Sequence, residues 1–214
     1  MPLRSYRWLL VVLAIAALAA DQATKYQMFR TLYTPGMSQG HREVIPNWFR
    51  FTAEYDDSTP PCDCSFGPLQ TWSAPVMPHV NHGALFGLGG QHKGGANNIF
   101  AAISILAAAG IIVWAARKGT QVDGWLCAAL GLILGGTLGN LYDRIVFNGV
   151  RDFLHMYHEI DIGIWKSKEG WPVFNVADIA LVAGAVMLLL HAFIFPAERA
   201  AKPAPVAEAT PPAA

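Results

Sequence analysis

The stretch GWLCAALGLILGGTLGNLYDR, Gly124 to Arg144, decides the fold. From Gly124 to Tyr142 it carries no charged residue. At about 1.5 Å per residue that length crosses most of a hydrocarbon layer roughly 30 Å thick. Gly131, Gly135 and Gly139 recur every four residues, with Gly136 beside them. Small residues at this spacing let helix backbones approach closely, so the stretch reads as a membrane helix packed tightly against neighbours. Its polar residues, Asn140, Asp143 and Arg144, all gather at its C-terminal end.

Three more mostly apolar stretches of similar length surround it: about Trp8 to Gln27, Asn97 to Ala116 and Phe174 to Phe195. The whole composition agrees. Hydrophobic residues make up 53% of the 214, and charged residues only 14%, against about 25% in an average soluble domain. That deficit excludes a disordered chain, a coiled coil and an ordinary soluble enzyme. Fifteen basic and fifteen acidic side chains cancel, so no basic surface points to nucleic acid. The expected class is an all-α membrane protein with four transmembrane helices (about 8–27, 97–116, 124–142 and 174–195). Two external segments, about 29–95 and 143–173, join them, and this external region is expected to hold some β structure.

Orientation follows from short basic segments. Arg4 and Arg7 flank the first span, Arg117 and Lys118 join the second to the third, and Arg199 and Lys202 follow the fourth. Four spans put all three segments on one side, which predicts both termini in the cytoplasm. Arg4 and Arg7 before an apolar run also fit a signal peptide, but the helical pattern continues through Asp21 and Lys25. Residues 1–196 then form one four-span domain. Residues 197–214, rich in Ala and Pro, read as a disordered cytoplasmic tail.

With this topology the polar residues at membrane depth collect at the outer boundary. A charge there is a functional hypothesis by default. Asp21 and Lys25 share a helix face, four residues apart. Asn140, Asp143 and Arg144 end the third span, and Asn175 and Asp178 begin the fourth. Asp152 follows in GVRDFL, an amphipathic stretch suited to re-enter the interface. Asp21 with Lys25, and Asp143 with Arg144, also read as neutralised structural pairs. Asp152 and Asp178 lack a same-helix cation as close. Two acids facing each other in a poorly solvated site cannot both ionise easily, so one keeps a proton while the other stays charged. The charged one then activates a water, and the protonated one polarises a carbonyl.

The segments DQATK (Asp21 to Lys25), NHGALFG (Asn81 to Gly87), GGTLGNLYDR (Gly135 to Arg144), GVRDF (Gly149 to Phe153) and PVFNVAD (Pro172 to Asp178) follow in that order. Singly each is weak. Together, on four spans, they resemble the lipoprotein signal peptidase family, also called signal peptidase II, over about residues 5 to 195. The resemblance implies a four-helix intramembrane aspartic endopeptidase of the bacterial cytoplasmic (inner) membrane, its active site towards the periplasm. Its substrates would be diacylglyceryl-modified prolipoproteins, cut just before the lipidated cysteine. The family's catalytic pair maps onto Asp152 and Asp178. Supporting and substrate-binding positions map onto Asp21, Lys25, Asn81, Gly83, Asn140, Arg144 and Asn175. Asn140 and Asn175 are expected to hydrogen-bond the carboxylates or the substrate, and Arg144 to fix the loop that holds Asp152. Asp21 and Lys25 would brace the first span. The resemblance also implies inhibition by globomycin-type peptides, no cofactor and no metal. Partners would be prolipoproteins and membrane lipid, and a monomer suffices because one chain holds both aspartates.

Two departures stand out. The chain between Lys25 and Asn81 is about twice the length usual in the family; the extra part is YDDSTPPCDCSFGPLQTWSAP, Tyr55 to Pro75. The stretch between Asp152 and Asp178 is also long. Both additions are read as lying near the substrate entry. Cys62 and Cys64 stand one residue apart, where a mutual bridge is strained; thiols or an unusual local bridge are expected rather than zinc. The main rival reading is a metal-dependent membrane protease using His155 and His158, with Glu159 and Asp161 nearby. A relative without catalytic activity is the other. Gly89, Gly90, Gly94 and Gly95 read as a flexible linker.

Overall fold

The computed structural model describes residues 5–83, 93–117, 120, 123–161, 163 and 166–194. Among the described residues five helices and six short strands succeed one another: α1 (Arg7–Thr31), β1 (Gln39–Ile45), β2 (Phe49–Asp56), α2 (Gly67–Gln70), β3 (Met77–Pro78), α3 (Lys93–Ala115), α4 (Gly124–Phe147), β4 (Leu154–Met156), β5 (Ile160–Asp161), β6 (Lys166–Ser167) and α5 (Val176–Ile194). Four of the helices, α1, α3, α4 and α5, are long and apolar enough to cross a membrane.

Helix α4 is the centre. Asp123 caps its N-terminus, accepting a hydrogen bond from the Leu126 N–H at 2.9 Å. Asn148 ends it in the left-handed conformation, φ 57°, which Asn tolerates because its side chain is short and polar. The glycine stripe sets the packing distances. A Cβ on Gly135 would lie 2.6 Å from the Ala14 carbonyl oxygen of α1, and one on Gly136 would lie 2.5 Å from that of Ala177 in α5. The two neighbours therefore pack directly on the α4 backbone, one on each side. Helix α1 answers with a buried stripe of Leu10, Ala14, Ala17, Asp21, Lys25 and Phe29, spaced by three or four residues. Large apolar residues on the other faces of α1, α3 and α5 (Ile15, Leu106 and Leu189 among them) remain exposed, as lipid-facing surfaces do.

Helices α1 and α4 run several residues beyond their expected ends, so Asp143 and Arg144 are helical. Their polar groups find partners in the fold and need not leave the helix to reach water. Helix α3 starts at Lys93, so Gly94 and Gly95 belong to its first turn and not to a linker. Gly89, Gly90 and the tail 197–214 lie outside the described residues.

The segment after α1 folds back as a hairpin. β1 and β2 pair antiparallel with a bulge between Glu43 and Ile45, and Asn47 takes a positive φ in the turn. β4 pairs with Phe49 to Phe51 of β2, and β3 with Tyr55 and Asp56. A second, two-stranded sheet joins β5 and β6. The hairpin closes over the end of α1 through Phe29, Ala53, Tyr55, Ala74, Phe153 and Leu154. The Tyr55 hydroxyl donates to the Phe29 carbonyl at 2.6 Å. The GVRDFL stretch is extended. Val150 exchanges backbone hydrogen bonds with Asn81, and Phe153 and Leu154 donate to the Phe174 carbonyl, so the stretch is held extended. Cys62 and Cys64 are joined by a disulfide, and Cys127 is free and buried.

Candidate active site

At the C-terminal end of α4 two sets of polar side chains meet. The first is a buried charge cluster. Lys25 Nζ lies 2.8 Å from Asp21 and 3.3 Å from Asp143. Arg151 Nη2 donates to Asp143 Oδ1 at 2.8 Å, while its backbone N–H and Nε both reach Oδ2. All four side chains are 0–1% exposed. The charges balance, two against two, which is what burial demands. Gln22 ties them together: its amide nitrogen donates to Asp21, Gly139 and Asp143, and its oxygen accepts from Arg151 at 2.9 Å. The Arg151 guanidinium also sits between the rings of Tyr26 and Phe147, 4.3 and 3.9 Å from their centroids. Gly139 makes room for this cluster, since a Cβ there would lie 2.6 Å from Asp21 Oδ2.

The second set holds Asp152 and Asp178, and its donors are neutral. Asp178 is the third residue of α5. Its carboxylate accepts the Asn175 N–H at 3.1 Å, and the Asn175 side-chain oxygen accepts the Asp178 N–H at 3.1 Å. This is a reciprocal cap of the kind that satisfies orphan helix donors. Asp152 comes from the extended stretch after α4. Successive side chains on such a stretch point to opposite sides, so Arg151 faces the buried cluster and Asp152 faces α5.

Three asparagines aim at the two carboxylates, and in each the orientation follows from what holds the oxygen. Asn140 Oδ1 accepts from Lys25 Nζ at 3.2 Å, leaving Nδ2 to donate to Asp178 Oδ1 at 2.8 Å. Asn175 Oδ1 serves the helix cap, leaving Nδ2 to donate to Asp152 Oδ1 at 2.7 Å and Asn140 Oδ1 at 3.1 Å. Asn81 Oδ1 accepts the Gly83 N–H at 3.0 Å, leaving Nδ2 to donate to Asp152 Oδ2 at 3.3 Å. Among the described residues neither carboxylate has a cation within ion-pair distance. Burial, and then the charge of Asp178, push the Asp152 carboxyl up to about 7, against the opposing pull of the Asn175 hydrogen bond and Lys25.

The structure thus brings together Asp21, Lys25, Asn81, Gly83, Asn140, Asn175, Asp152 and Asp178. Arg144 is placed differently from expectation. Its Nη1 donates to Asn97 Oδ1 at 3.3 Å and its guanidinium stacks on Phe100, 5.0 Å away, so it links α4 to α3. The loop that carries Asp152 is fixed by Arg151 and Asp143 instead. Asp143 and Arg144 do not pair because neighbours on a helix point in different directions. Arg151 and Gln22 are absent from the sequence-based site; their one signal was adjacency to Asp152 and Asp21.

His155 of the rival reading is committed elsewhere. His155 Nδ1 accepts from Arg50, and Nε2 donates to the Glu169 carbonyl at 2.9 Å. Burial and the charge of Arg50 hold its ring below the usual histidine range, against the opposing pull of the Glu169 carbonyl. Asp161 pairs with Lys166 at 2.7 Å. The extra segment Tyr55 to Pro75 lies on the Arg151 side of the Asp152 stretch, where Gln70 Nε2 donates to the Val146 carbonyl at 2.6 Å.

Comparison with known proteins agrees with this architecture. Residues 69–194 match the family described as signal peptidase (SPase) II. The chain is 34% identical over 183 residues to a lipoprotein signal peptidase of Pseudomonas putida, covering 85% of this chain and 84% of that one. It is 33% identical over 191 residues to that of Pseudomonas syringae pv. tomato, covering 88% and 86%. A bacterial membrane enzyme solved by the in meso method at 2.3 Å has the same fold, with a TM-score of 0.64 at 22% identity, over 94% of this chain and 98% of that one. The match over more than half of its length, and relatives similar over nearly all of it, establish that the chain belongs to the signal peptidase II family of membrane proteases.

Proposed function

We propose that the protein is an intramembrane aspartic endopeptidase that removes signal peptides from diacylglyceryl-modified prolipoproteins, cutting just before the lipidated cysteine. The observation that carries this reading is the pair Asp152 and Asp178, joined through Asn140 and Asn175 and, among the described residues, supplied with neutral hydrogen-bond donors. A carboxyl such as Asp152, raised to about 7, holds its proton near neutrality; Asp178, in a ring of N–H donors, serves as the carboxylate.

In the reaction Asp178 takes a proton from a water, whose oxygen attacks the scissile carbonyl carbon. Asp152 donates its proton to the carbonyl oxygen, giving a neutral tetrahedral diol. The proton on Asp178 then passes to the amide nitrogen and the C–N bond breaks. One diol hydroxyl returns its proton to Asp152, a new carboxyl group forms and the pair is restored. Asn81 and Gly83, on the chain opposite Val150, are placed to hold the peptide backbone beside the pair. Helices α3 and α5 both pack on α4. A peptide lying along α4 between them reaches the aspartates, and its acyl chains stay in lipid. The acids then face the periplasmic side of the bacterial inner membrane, with both termini cytoplasmic, as the short basic segments demand. A monomer carries the whole site, and a globomycin-type peptide would compete for the same pair.

The test is cleavage of a diacylglyceryl-modified prolipoprotein by the purified protein in lipid, with Asp152→Asn, Asp178→Asn and a chelator as separate arms. Cleavage by the wild type, loss in both variants and indifference to chelator are expected. Loss with chelator assigns the chemistry to a metal; a folded wild type that leaves every prolipoprotein intact identifies a non-catalytic relative.

A further inference from the structure

The extra segment Tyr55 to Pro75 is not used by the chemistry above, and its anchoring points are specific. Ser73 Oγ donates to the Tyr26 carbonyl of α1 at 2.9 Å, and Gln70 Nε2 to the Val146 carbonyl of α4 at 2.6 Å. Leu69 packs with Val80, Val146 and Phe147. The Cys62 N–H donates to Gln70 Oε1 at 2.8 Å, so the disulfide loop steadies the residue that makes the α4 contact. Between the two anchors Trp72 is left 67% exposed, and Phe66 just before α2 is 40% exposed.

The depth of these anchors can be measured along the helices. Trp8 is exposed at the start of α1 and Trp125 at the start of α4; exposed tryptophans favour the membrane–water boundary. Tyr26 lies eighteen residues beyond Trp8, about 27 Å along the helix, and Val146 lies twenty-one beyond Trp125, about 32 Å. The hydrocarbon layer is about 30 Å thick. Two independent helices therefore set the segment one membrane thickness from tryptophans at the opposite end. Tyr26 is also five residues short of the end of α1, so the segment clings to the flank of the bundle, beside lipid. Its three acids and lack of Lys or Arg leave aromatic burial, not attraction to anionic headgroups, as the means of attachment.

We infer that residues 55–75 form a membrane-interface anchor, with Trp72 and Phe66 inserted among the lipid headgroups and upper acyl chains on the outer rim of α1 and α4. This holds whichever reaction the aspartates perform. The test uses the full chain in phosphatidylcholine–phosphatidylglycerol vesicles and the difference in fluorescence between wild type and Trp72→Phe. The Trp72 emission is expected to be blue-shifted, and to lose more intensity to lipids brominated on the upper acyl chain than to aqueous iodide. Stronger quenching by iodide, with no effect of bromolipid, overturns the inference, whether the segment then proves to be solvated or covered by a second copy. Should Trp72→Phe fail to fold, the added emission of Phe66→Trp in the otherwise unchanged chain decides by the same ordering.

Discussion

Two pairs of acids meet at the same end of the bundle and are held in opposite ways. Asp21 and Asp143 are sealed from solvent and bound by Lys25 and Arg151. Asp152 and Asp178, a few residues away in the chain or across one helix contact, keep some exposure and, among the described residues, receive amide and backbone N–H groups as their hydrogen-bond donors. Matched cations neutralise a carboxylate and lock it, so the first pair cannot readily trade protons. Neutral donors orient a carboxylate without discharging it, so two such groups side by side are left to share a proton. Under the proposed function, the contrast separates a structural acid from a chemical one more clearly than depth in the membrane does. Lys25 and Asn140 join the two sets: the ammonium ion of the locked cluster fixes the amide that faces Asp178.

Breaking this contrast has its largest effect at the second pair. Asp152→Asn and Asp178→Asn should each lower prolipoprotein cleavage by about 10⁴-fold or more, since groups acting as a unit fail together, while thermal unfolding in detergent stays at or above that of the wild type. Single-turnover cleavage and a melt on the same preparations check this. A variant at Asp143 that keeps its melting temperature but loses all cleavage would exchange the roles assigned to the two pairs.

The first pair should fail through folding. Arg151→Ala leaves Asp143 buried beside one remaining cation and opens the space between Tyr26 and Phe147. Removing one partner of a buried ion pair costs about 3–5 kcal/mol. Arg151→Lys keeps the charge but not the fork that reaches Asp143 and Gln22 at once, so it should recover only part of the loss. Denaturant or thermal unfolding of the three proteins ranks them; equal stability of Arg151→Ala and wild type would remove the cluster from the account of the fold.

A pH series sharpens the comparison. The Asp152 carboxyl titrates near 7 in the fold and near 4 in the unfolded chain. The native state therefore binds the proton more tightly, and this group's contribution to stability is full below about pH 4, falls as pH rises and is gone above about 7. Asp152→Asn removes that slope. Relative to wild type it should gain about 2 kcal/mol between pH 5 and 8, allowing for partial exposure. Cleavage by the wild type should fall tenfold per pH unit on the alkaline side of about 7. A flat alkaline limb with a flat stability difference would contradict a shared proton.

How far the sequence could be read depends on whether a feature is local. The uncharged run of α4 and its glycine spacing are properties of consecutive residues, and they mark the central helix directly. Asp152 and Asp178 stand out because neither has a close cation on the same helix. Arg151 could not be read the same way. It reaches Asp143 only because α4 ends at left-handed Asn148 and the chain doubles back, a tertiary event across eight residues. Arg144 shows the converse, since adjacency to Asp143 suggested a pair that helix geometry forbids. The hairpin β1–β2 was legible only as some β structure, because its register depends on the Asn47 turn and on Phe29 of a distant helix. The placement of residues 55–75 rested on two hydrogen bonds to α1 and α4 that no spacing discloses.

The smallest expected effect lies at the far end of the bundle and completes the comparison. Asp123 caps α4 through the Leu126 N–H and lies 2.6 Å from His191 Nε2 of α5. Partial burial pushes its carboxyl up, but the Leu126 N–H and His191 outweigh this and hold it below the ordinary carboxylate range. The sign is opposite to that at Asp152. Its contribution is full above the unfolded value near 4 and is lost as pH falls through the lowered native one. Asp123→Ala should cost about 1 kcal/mol at neutral pH, the worth of an N-cap, with the cost vanishing in acid and cleavage unchanged. Melts of this variant and of Asp152→Asn, each compared with wild type over one pH range, should therefore both converge on wild type in acid, Asp152→Asn from higher stability and Asp123→Ala from lower. Parallel curves would show that the two acids are held alike.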